Sequence, residues 1–340
     1  MVFKWGILSK YKLELYGFSI IWIILYHGLN QRYIDVDSTF KFLKGFIKHG
    51  NCGVELFLFM SGISLFYSLH KNNDIHNFYV KRVKRLLFPF LSISGIYFFY
   101  LFLLTNYTIS NLLLDITLMS FWISGNKIAW FVALIIPLYF FYPLIYKYVV
   151  GTHVKNSFLK TIFLCIVIYC LCVLLDISLH NYYRKVEIAL SRIPVFLLGC
   201  FIGRYVFQDK IINKNILLLS LVFFVYGLQY FYLYQYSLVR AYRLPYLLVG
   251  PSIAIWLCVC LEILHNRSIN RFLSKFGLIS LELYLSHMVL REIFLKSSLY
   301  STIHYKSNFV LYILICGFGA FAISSVVNCI HKKLYNKTDG

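Results

Sequence analysis

Long apolar runs separated by short, basic connections dominate the chain. Most of these runs are close to the ~20 residues that cross a bilayer as a helix. They occur at 13–30, 53–69, 86–105, 129–148, 158–176, 188–206, 215–236, 244–264, 276–296 and 308–330. The pattern predicts an all-α polytopic membrane protein, a bundle of about ten transmembrane helices. A further run at 111–124, NLLLDITLMSFWIS, is shorter and contains Asp115, so it either spans the membrane or lies at its interface.

The positive charges between the runs indicate the orientation. Loops on the cytoplasmic side normally carry an excess of Lys and Arg. With ten spans and a cytoplasmic N-terminus, more of the 33 Lys and Arg residues lie inside than when 111–124 also spans. We therefore expect both termini to be cytoplasmic, and 111–124 to be an outer-face or re-entrant segment.

Composition narrows the class of protein. The 340 residues are 60% hydrophobic and only 14% charged, whereas soluble domains carry about 25% charged residues. The formal net charge of +20 comes from short clusters between apolar runs, which favours contacts with anionic lipid headgroups over nucleic acid. The polar connections are too short to fold alone, so residues 1–340 are expected to form a single membrane domain. The sequence has no Walker A, GxSxG or HExxH motif, and no metal is expected.

Ionisable side chains inside apolar helices are costly and are therefore functional candidates. His27 lies near the predicted outer end of the first helix, in LELYGFSIIWIILYHG, and Glu55 near the outer end of the second, in GVELFLFMSG. A carboxylate beside an imidazole fixes its tautomer and raises its basicity, as a general base requires. The alternative is that both side chains only hydrogen-bond neighbouring helices.

A polar stripe follows a late helix. In SLELYLSHMVL, the side chains of Ser280, Tyr284 and His287 lie at i, i+4 and i+7, on one helical face. Such a stripe either lines a cavity or packs against another helix through polar contacts.

Arginines mark both predicted sides of the membrane. Arg82 and Arg85 lie one turn apart in YVKRVKRLLFPF, either as a topology anchor or as a phosphate site, since guanidinium groups bind phosphate oxygens in bidentate geometry. At the outer side, Arg192, Arg240 and Arg243 lie near tyrosines. They either bind a glycan or belong to an interfacial belt, which is the favoured interpretation.

The order of these motifs, with AWFVALIIPLYFFYPLI at 129–145, resembles the acyltransferase-3 family of integral membrane O-acyltransferases. The resemblance implies a multi-pass protein of the bacterial inner membrane. Such a protein takes an acyl group, usually acetyl from cytoplasmic acetyl-CoA, and delivers it to a hydroxyl of a surface or lipid-linked carbohydrate. The implied partners are acyl-CoA, membrane lipid and a capsule, O-antigen or exopolysaccharide acceptor.

The same resemblance assigns roles to residues. His27 matches the family's first-helix histidine, Glu55 its acidic residue, Arg82 and Arg85 its cytoplasmic RxxR pair, and His287 its late histidine. Tyr16 stands where the family usually has an arginine, so we expect Lys12, one turn further in, to supply charge for the donor. His287, Tyr284 and the outer arginines are expected to bind the acceptor. A transporter or flippase for a glycan or lipid-linked intermediate is the alternative function.

Overall fold

A computed structural model describes residues 2–29, 41–71, 74–150, 154–233, 244–297 and 311–335. These residues are almost entirely helical, and no β-strand forms among them. An isolated antiparallel β-bridge joins Lys4 and Ile211. The described part of the chain therefore agrees with the predicted all-α class.

The helices follow the apolar runs, because a helix satisfies all its backbone groups internally and so suits the bilayer. The first half of the chain contains α1 (Ile7–Lys10), α2 (Lys12–Leu29), α3 (Lys41–Lys48), α4 (Gly53–Lys71), α5 (Ile75–Phe90), α6 (Ile96–Leu104), α7 (Ile109–Ile116), α8 (Met119–Ser124) and α9 (Trp130–Val150). The second half contains α10 (Val154–Ser178), α11 (His180–Leu190), α12 (Ile193–Phe207), α13 (Lys214–Leu233), α14 (Leu244–Leu264), α15 (Arg267–Leu278), α16 (Ser280–Lys296) and α17 (Ala320–Tyr335). A 3₁₀ turn covers Gly50–Cys52, and π-helical turns cover Leu91–Gly95 and Ile313–Gly319.

Seven helical stretches among the described residues are long and apolar enough to cross a membrane. They are Gly50–Lys71, Ile75–Leu104, Trp130–Val149, Val154–Ser178, His180–Phe207, Leu244–Leu264 and Ile313–His331. The other three predicted spans correspond to α2, α13 and α16, which are helical but do not meet the same standard of length and hydropathy over their described residues. The count of ten and the cytoplasmic termini therefore stay predictions.

The ambiguous run at 111–124 is not one continuous helix. It is divided between α7 and α8, and Leu118 between them has a left-handed backbone with φ of 63°. A non-glycine residue rarely adopts that conformation, which interrupts the helical hydrogen bonds. Helices of eight and six residues are too short to span a bilayer.

The chain divides into two compact units. The first comprises Met1–Tyr26, Val36–Ile75 and Phe141–Leu278, and the second comprises His27–Asp35, His76–Phe140 and Ile279–Gly340. The predicted site residues are divided between the two units. The first contains Lys12, Tyr16, Glu55 and Arg192, and the second contains His27, Arg82, Arg85, Tyr284 and His287. The expectation of a single functional domain stays a prediction.

Helix α4 packs closely on α12 in the core of the first unit. A β-carbon built on Gly62 would lie 2.4 Å from the Phe196 carbonyl oxygen, and one built on Gly199 would lie 2.1 Å from the Phe59 carbonyl oxygen. Only glycine allows the two backbones to approach this closely, as in the small-residue helix contacts of membrane proteins. This contact fixes the position of α4, which carries Glu55.

Candidate active site

The second unit brings two predicted site histidines into contact. His27 lies in the last turn of α2, and its Nδ1 is 3.0 Å from Nε2 of His287 on α16. The two rings stack with their centroids 5.2 Å apart. His27 is half-buried, whereas His287 is fully buried. The sequence therefore found both histidines but did not predict that they pair with each other.

His287 is anchored by its own helix. Its Nδ1 lies 3.1 Å from the carbonyl oxygen of Leu283, one turn earlier in α16. The ring of Tyr284 meets that of His287 edge-on, with centroids 5.8 Å apart. The stripe predicted from SLELYLSHMVL thus places Tyr284 and His287 together.

Tyr284 also contacts the beginning of α9. Its hydroxyl accepts a hydrogen bond from the Phe131 backbone N–H at 3.3 Å and donates one to the Ile128 carbonyl at 3.4 Å. Early backbone N–H groups of a helix lack partners within the helix, so the hydroxyl satisfies a group that would otherwise remain unbonded. The predicted acceptor role of Tyr284 stays a prediction.

A buried carboxylate, Asp115, organises the segment before α9. It accepts hydrogen bonds from the Tyr107 hydroxyl and, at 2.8 Å, from the Asn126 side-chain amide. The Asn126 side-chain oxygen in turn accepts from the Ile128 backbone N–H at 3.1 Å. Burial raises the pKa of Asp115, while side-chain hydrogen bonds with Ser120 and Asn126 oppose that shift. These contacts order the 125–128 loop that Tyr284 touches.

Sequence reasoning used Asp115 only to question whether 111–124 spans the membrane. The missed signal was a carboxylate inside an apolar segment with hydrogen-bond donors close on both sides. Such a group requires partners when it is buried.

Glu55, the predicted acidic residue, forms a buried ion pair in the first unit. The Arg192 Nε donates to Glu55 Oε1 at 2.9 Å, and neither side chain is more than 1% exposed. Arg192 also donates to the carbonyl oxygens of Ile188 at 2.8 Å and Asn51 at 3.2 Å. The interpretation of Arg192 as part of an exposed interfacial belt is therefore wrong, because its guanidinium is enclosed. Its role in acceptor binding, like the contact expected between Glu55 and His27, stays a prediction.

The residues expected at the donor occupy different surroundings. Arg82 is half-buried, with its guanidinium 5.5 Å from the Phe78 ring centroid and 5.8 Å from that of Tyr139, whereas Arg85 is exposed. In the first unit, Tyr16 is buried and stacks on Phe57 with centroids 5.2 Å apart.

The Lys12 ammonium lies 5.7 Å from the Tyr16 ring centroid, and the expected role of Lys12 at the donor stays a prediction. Arg240 and Arg243 lie outside the described residues. Within the part of the chain that the structure describes, no group of three or more His, Cys, Asp or Glu side chains could hold a metal ion.

Comparison with protein family models shows the family to which the chain belongs. A family model described as an acyltransferase domain, that of acyltransferase-3, matches residues 15–329. The chain belongs to the acyltransferase-3 family. Neither a curated protein nor a solved structure matches it. The resemblance seen in the motifs is thereby confirmed.

Membership of the acyltransferase-3 family implies an acyltransferase with an acyl donor and an acceptor. The matched residues include the apolar helices, which fits an integral membrane protein. His27, Glu55, Arg82, Arg85 and His287 all fall within the matched residues.

Proposed function

We propose that this protein is a membrane O-acyltransferase of the bacterial inner membrane. It transfers an acyl group, acetyl in the simplest case, from cytoplasmic acyl-CoA to a hydroxyl of a surface or lipid-linked carbohydrate such as capsule, O-antigen or exopolysaccharide. Family membership supports acyl transfer. The paired imidazoles of His27 and His287 are the observation that carries the proposed chemistry.

His27 is the general base in this proposal. The sugar hydroxyl oxygen attacks the thioester carbonyl carbon, His27 takes the hydroxyl proton, and the carbon–sulfur bond breaks. The proton then passes to the departing thiolate, which leaves as free CoA. Transfer through an acyl-histidine uses the same residue and gives the same products. The position of His27 in the last turn of α2 suits either route, since a helix C-terminus stabilises a positive imidazolium.

The donor and acceptor are proposed to use the residues indicated by the sequence. Arg82 and Arg85 bind the CoA phosphates, with Lys12 and Tyr16 as the further donor residues. Tyr284 and the outer arginines Arg192, Arg240 and Arg243 serve the acceptor. Glu55 supports the reaction as a carboxylate whose charge Arg192 balances.

Replacing His27 tests this function directly. Purified protein in vesicles receives acetyl-CoA and the surface glycan, and both free CoA and acylated glycan are measured. We expect His27→Ala to lose at least about a hundredfold in acyl transfer, the scale of a lost general base. His180→Ala is the matched control, because His180 is an exposed histidine paired with Asp176.

Two results would contradict the proposal. Full acyl transfer by His27→Ala would remove His27 from the chemistry. Glycan movement across the membrane by the wild type without any release of CoA would favour the transporter or flippase function instead.

A further inference from the structure

We infer that His287 is a positioning residue that fixes the tautomer of His27, so that the lone pair of His27 lies on Nε2. This inference rests on the proposed function for its consequence in catalysis. The contact between the two imidazole rings lies within the second unit. It determines which nitrogen of His27 takes the proton from the sugar hydroxyl.

The Leu283 carbonyl fixes the first proton. A carbonyl oxygen only accepts hydrogen bonds, so the His287 Nδ1 that lies 3.1 Å from it must carry hydrogen. A neutral imidazole carries one N–H, which leaves the lone pair of His287 on Nε2. The opposite tautomer would direct a nitrogen lone pair at the carbonyl oxygen, and the two would repel.

The second proton follows from the first. Nε2 of His287 is 3.0 Å from Nδ1 of His27. Because that Nε2 is an acceptor, the His27 Nδ1 must donate the hydrogen between them. In its neutral form, the His27 ring then has its lone pair on Nε2, the nitrogen remote from His287. In this inference the His287 imidazole orients His27, a role that the sequence analysis expected of a carboxylate.

This arrangement favours proton abstraction by His27. When Nε2 takes a proton from the sugar hydroxyl, His27 becomes an imidazolium with both nitrogens protonated. Its Nδ1–H is already bonded to the His287 lone pair, and a hydrogen bond from a charged donor is about twice as strong as a neutral one. The transition state therefore gains from a contact already formed in the resting protein.

Two substitutions at position 287 distinguish the contribution of the aromatic ring from that of the hydrogen-bond acceptor. His287→Phe keeps an aromatic ring but removes the acceptor, whereas His287→Gln places an amide oxygen near the position of Nε2. We expect His287→Phe to lower kcat by about tenfold or more, with KM for acyl-CoA unchanged, because a wrong tautomer removes the base. His287→Gln should recover most of that loss. Ser286→Ala is the control, since Ser286 lies on the same helix and contacts Ser324 instead.

Nitrogen NMR reads the tautomer without any reaction. The protein is labelled with ¹⁵N-histidine and measured in lipid bilayers, and the His27 signals are identified by their loss in His27→Gln. We expect wild-type His27 to be protonated at Nδ1 and unprotonated at Nε2, and His287→Phe to yield a mixture of tautomers. A wild-type His27 protonated at Nε2, or a tautomer unchanged by His287→Phe, would overturn the inference. If the position-287 variants fail to fold, the wild-type spectrum can still overturn the inference, because His27 protonated at Nε2 contradicts it.

The two failures are distinguishable. Active His27→Ala protein would reject the proposed function while leaving the measured tautomer intact. If His27→Ala is inactive but His287→Phe is fully active and has the wild-type tautomer of His27, only the role of His287 is rejected.

Discussion

Arg192 illustrates how a charge is held inside an apolar helix bundle. Its guanidinium donates hydrogen bonds to the Glu55 carboxylate and to the backbone carbonyl oxygens of Ile188 and Asn51. Burying a charge is costly unless it is paired and hydrogen-bonded, and the planar guanidinium can form several such bonds at once. The pair joins α4 to Arg192 in the turn between α11 and α12. Its loss should therefore lower stability as well as activity.

We expect Arg192→Met to lower the free energy of unfolding by about 3–5 kcal/mol, since the buried Glu55 carboxylate would lose its ion pair with the Arg192 guanidinium. The double variant Glu55→Gln with Arg192→Met should recover part of this loss, because no charge remains. Unfolding in detergent, followed by tryptophan fluorescence, measures both effects. The Lys4–Asp209 pair provides the control.

Both partners of that control pair are more than half exposed, so Lys4→Met should cost less than about 1 kcal/mol. If Arg192→Met and Lys4→Met lower the free energy of unfolding by the same small amount, the buried pair stabilises the protein no more than the exposed one.

The sequence located most of the candidate site residues but not their partners. His27, Glu55 and His287 stand out because ionisable side chains are rare in apolar runs. Which of them meet depends on the rotation and tilt of each helix, and hydropathy carries no information about either. Arg192 and Glu55, 137 positions apart, could not be paired from one sequence.

At the scale of helices, hydropathy predicted the elements well because each run had to satisfy its own backbone in the bilayer. It could not resolve 111–124, where the break depends on the left-handed backbone of a single residue, Leu118. The π-helical turn at Leu91–Gly95 was equally invisible, since it leaves the apolar pattern unchanged.

The contact between α4 and α12 gives a sharp prediction for glycine. We expect Gly199→Ala to lower the free energy of unfolding by about 1–3 kcal/mol, because the added methyl group would collide with the Phe59 backbone and force the helices apart. Gly95→Ala is the control, since its nearest neighbour would be a leucine side chain at an ordinary 3.6 Å.

Chemical denaturation of both glycine variants in the same detergent measures the difference. A Gly199→Ala protein as stable as Gly95→Ala would mean that the two helices can separate without cost, and the close packing of α4 would then not matter for the position of Glu55.

At the scale of the whole molecule, the number of spans determines where the termini lie. Ten spans place both termini on the same side of the membrane, whereas seven place them on opposite sides. The difference rests on α2, α13 and α16, which fall short of the other helices in length or hydropathy over their described residues. Two of these, α2 and α16, carry His27 and His287, so the topology also bears on the proposed reaction.

Reporter fusions decide whether the number of spans is even, as ten is, or odd, as seven is. Alkaline phosphatase is active only outside the cytoplasm, and green fluorescent protein exported in unfolded form fluoresces only inside. With ten spans, we expect phosphatase activity for a fusion after Lys127, and fluorescence for fusions after Lys155 and Gly340, in keeping with the excess of basic residues in the inner loops. The Lys127 and Lys155 fusions flank α9, whose length and hydropathy suit a span, so they serve as internal controls for each other.

A phosphatase-active fusion at Gly340, with the N-terminus shown to be cytoplasmic, would make the count odd. At least one of α2, α13 and α16 would then lie along the membrane instead of crossing it. If that helix were α2 or α16, His27 or His287 would lie on a helix that does not cross the membrane, and the proposed route from a cytoplasmic donor to an outer acceptor would need a different path.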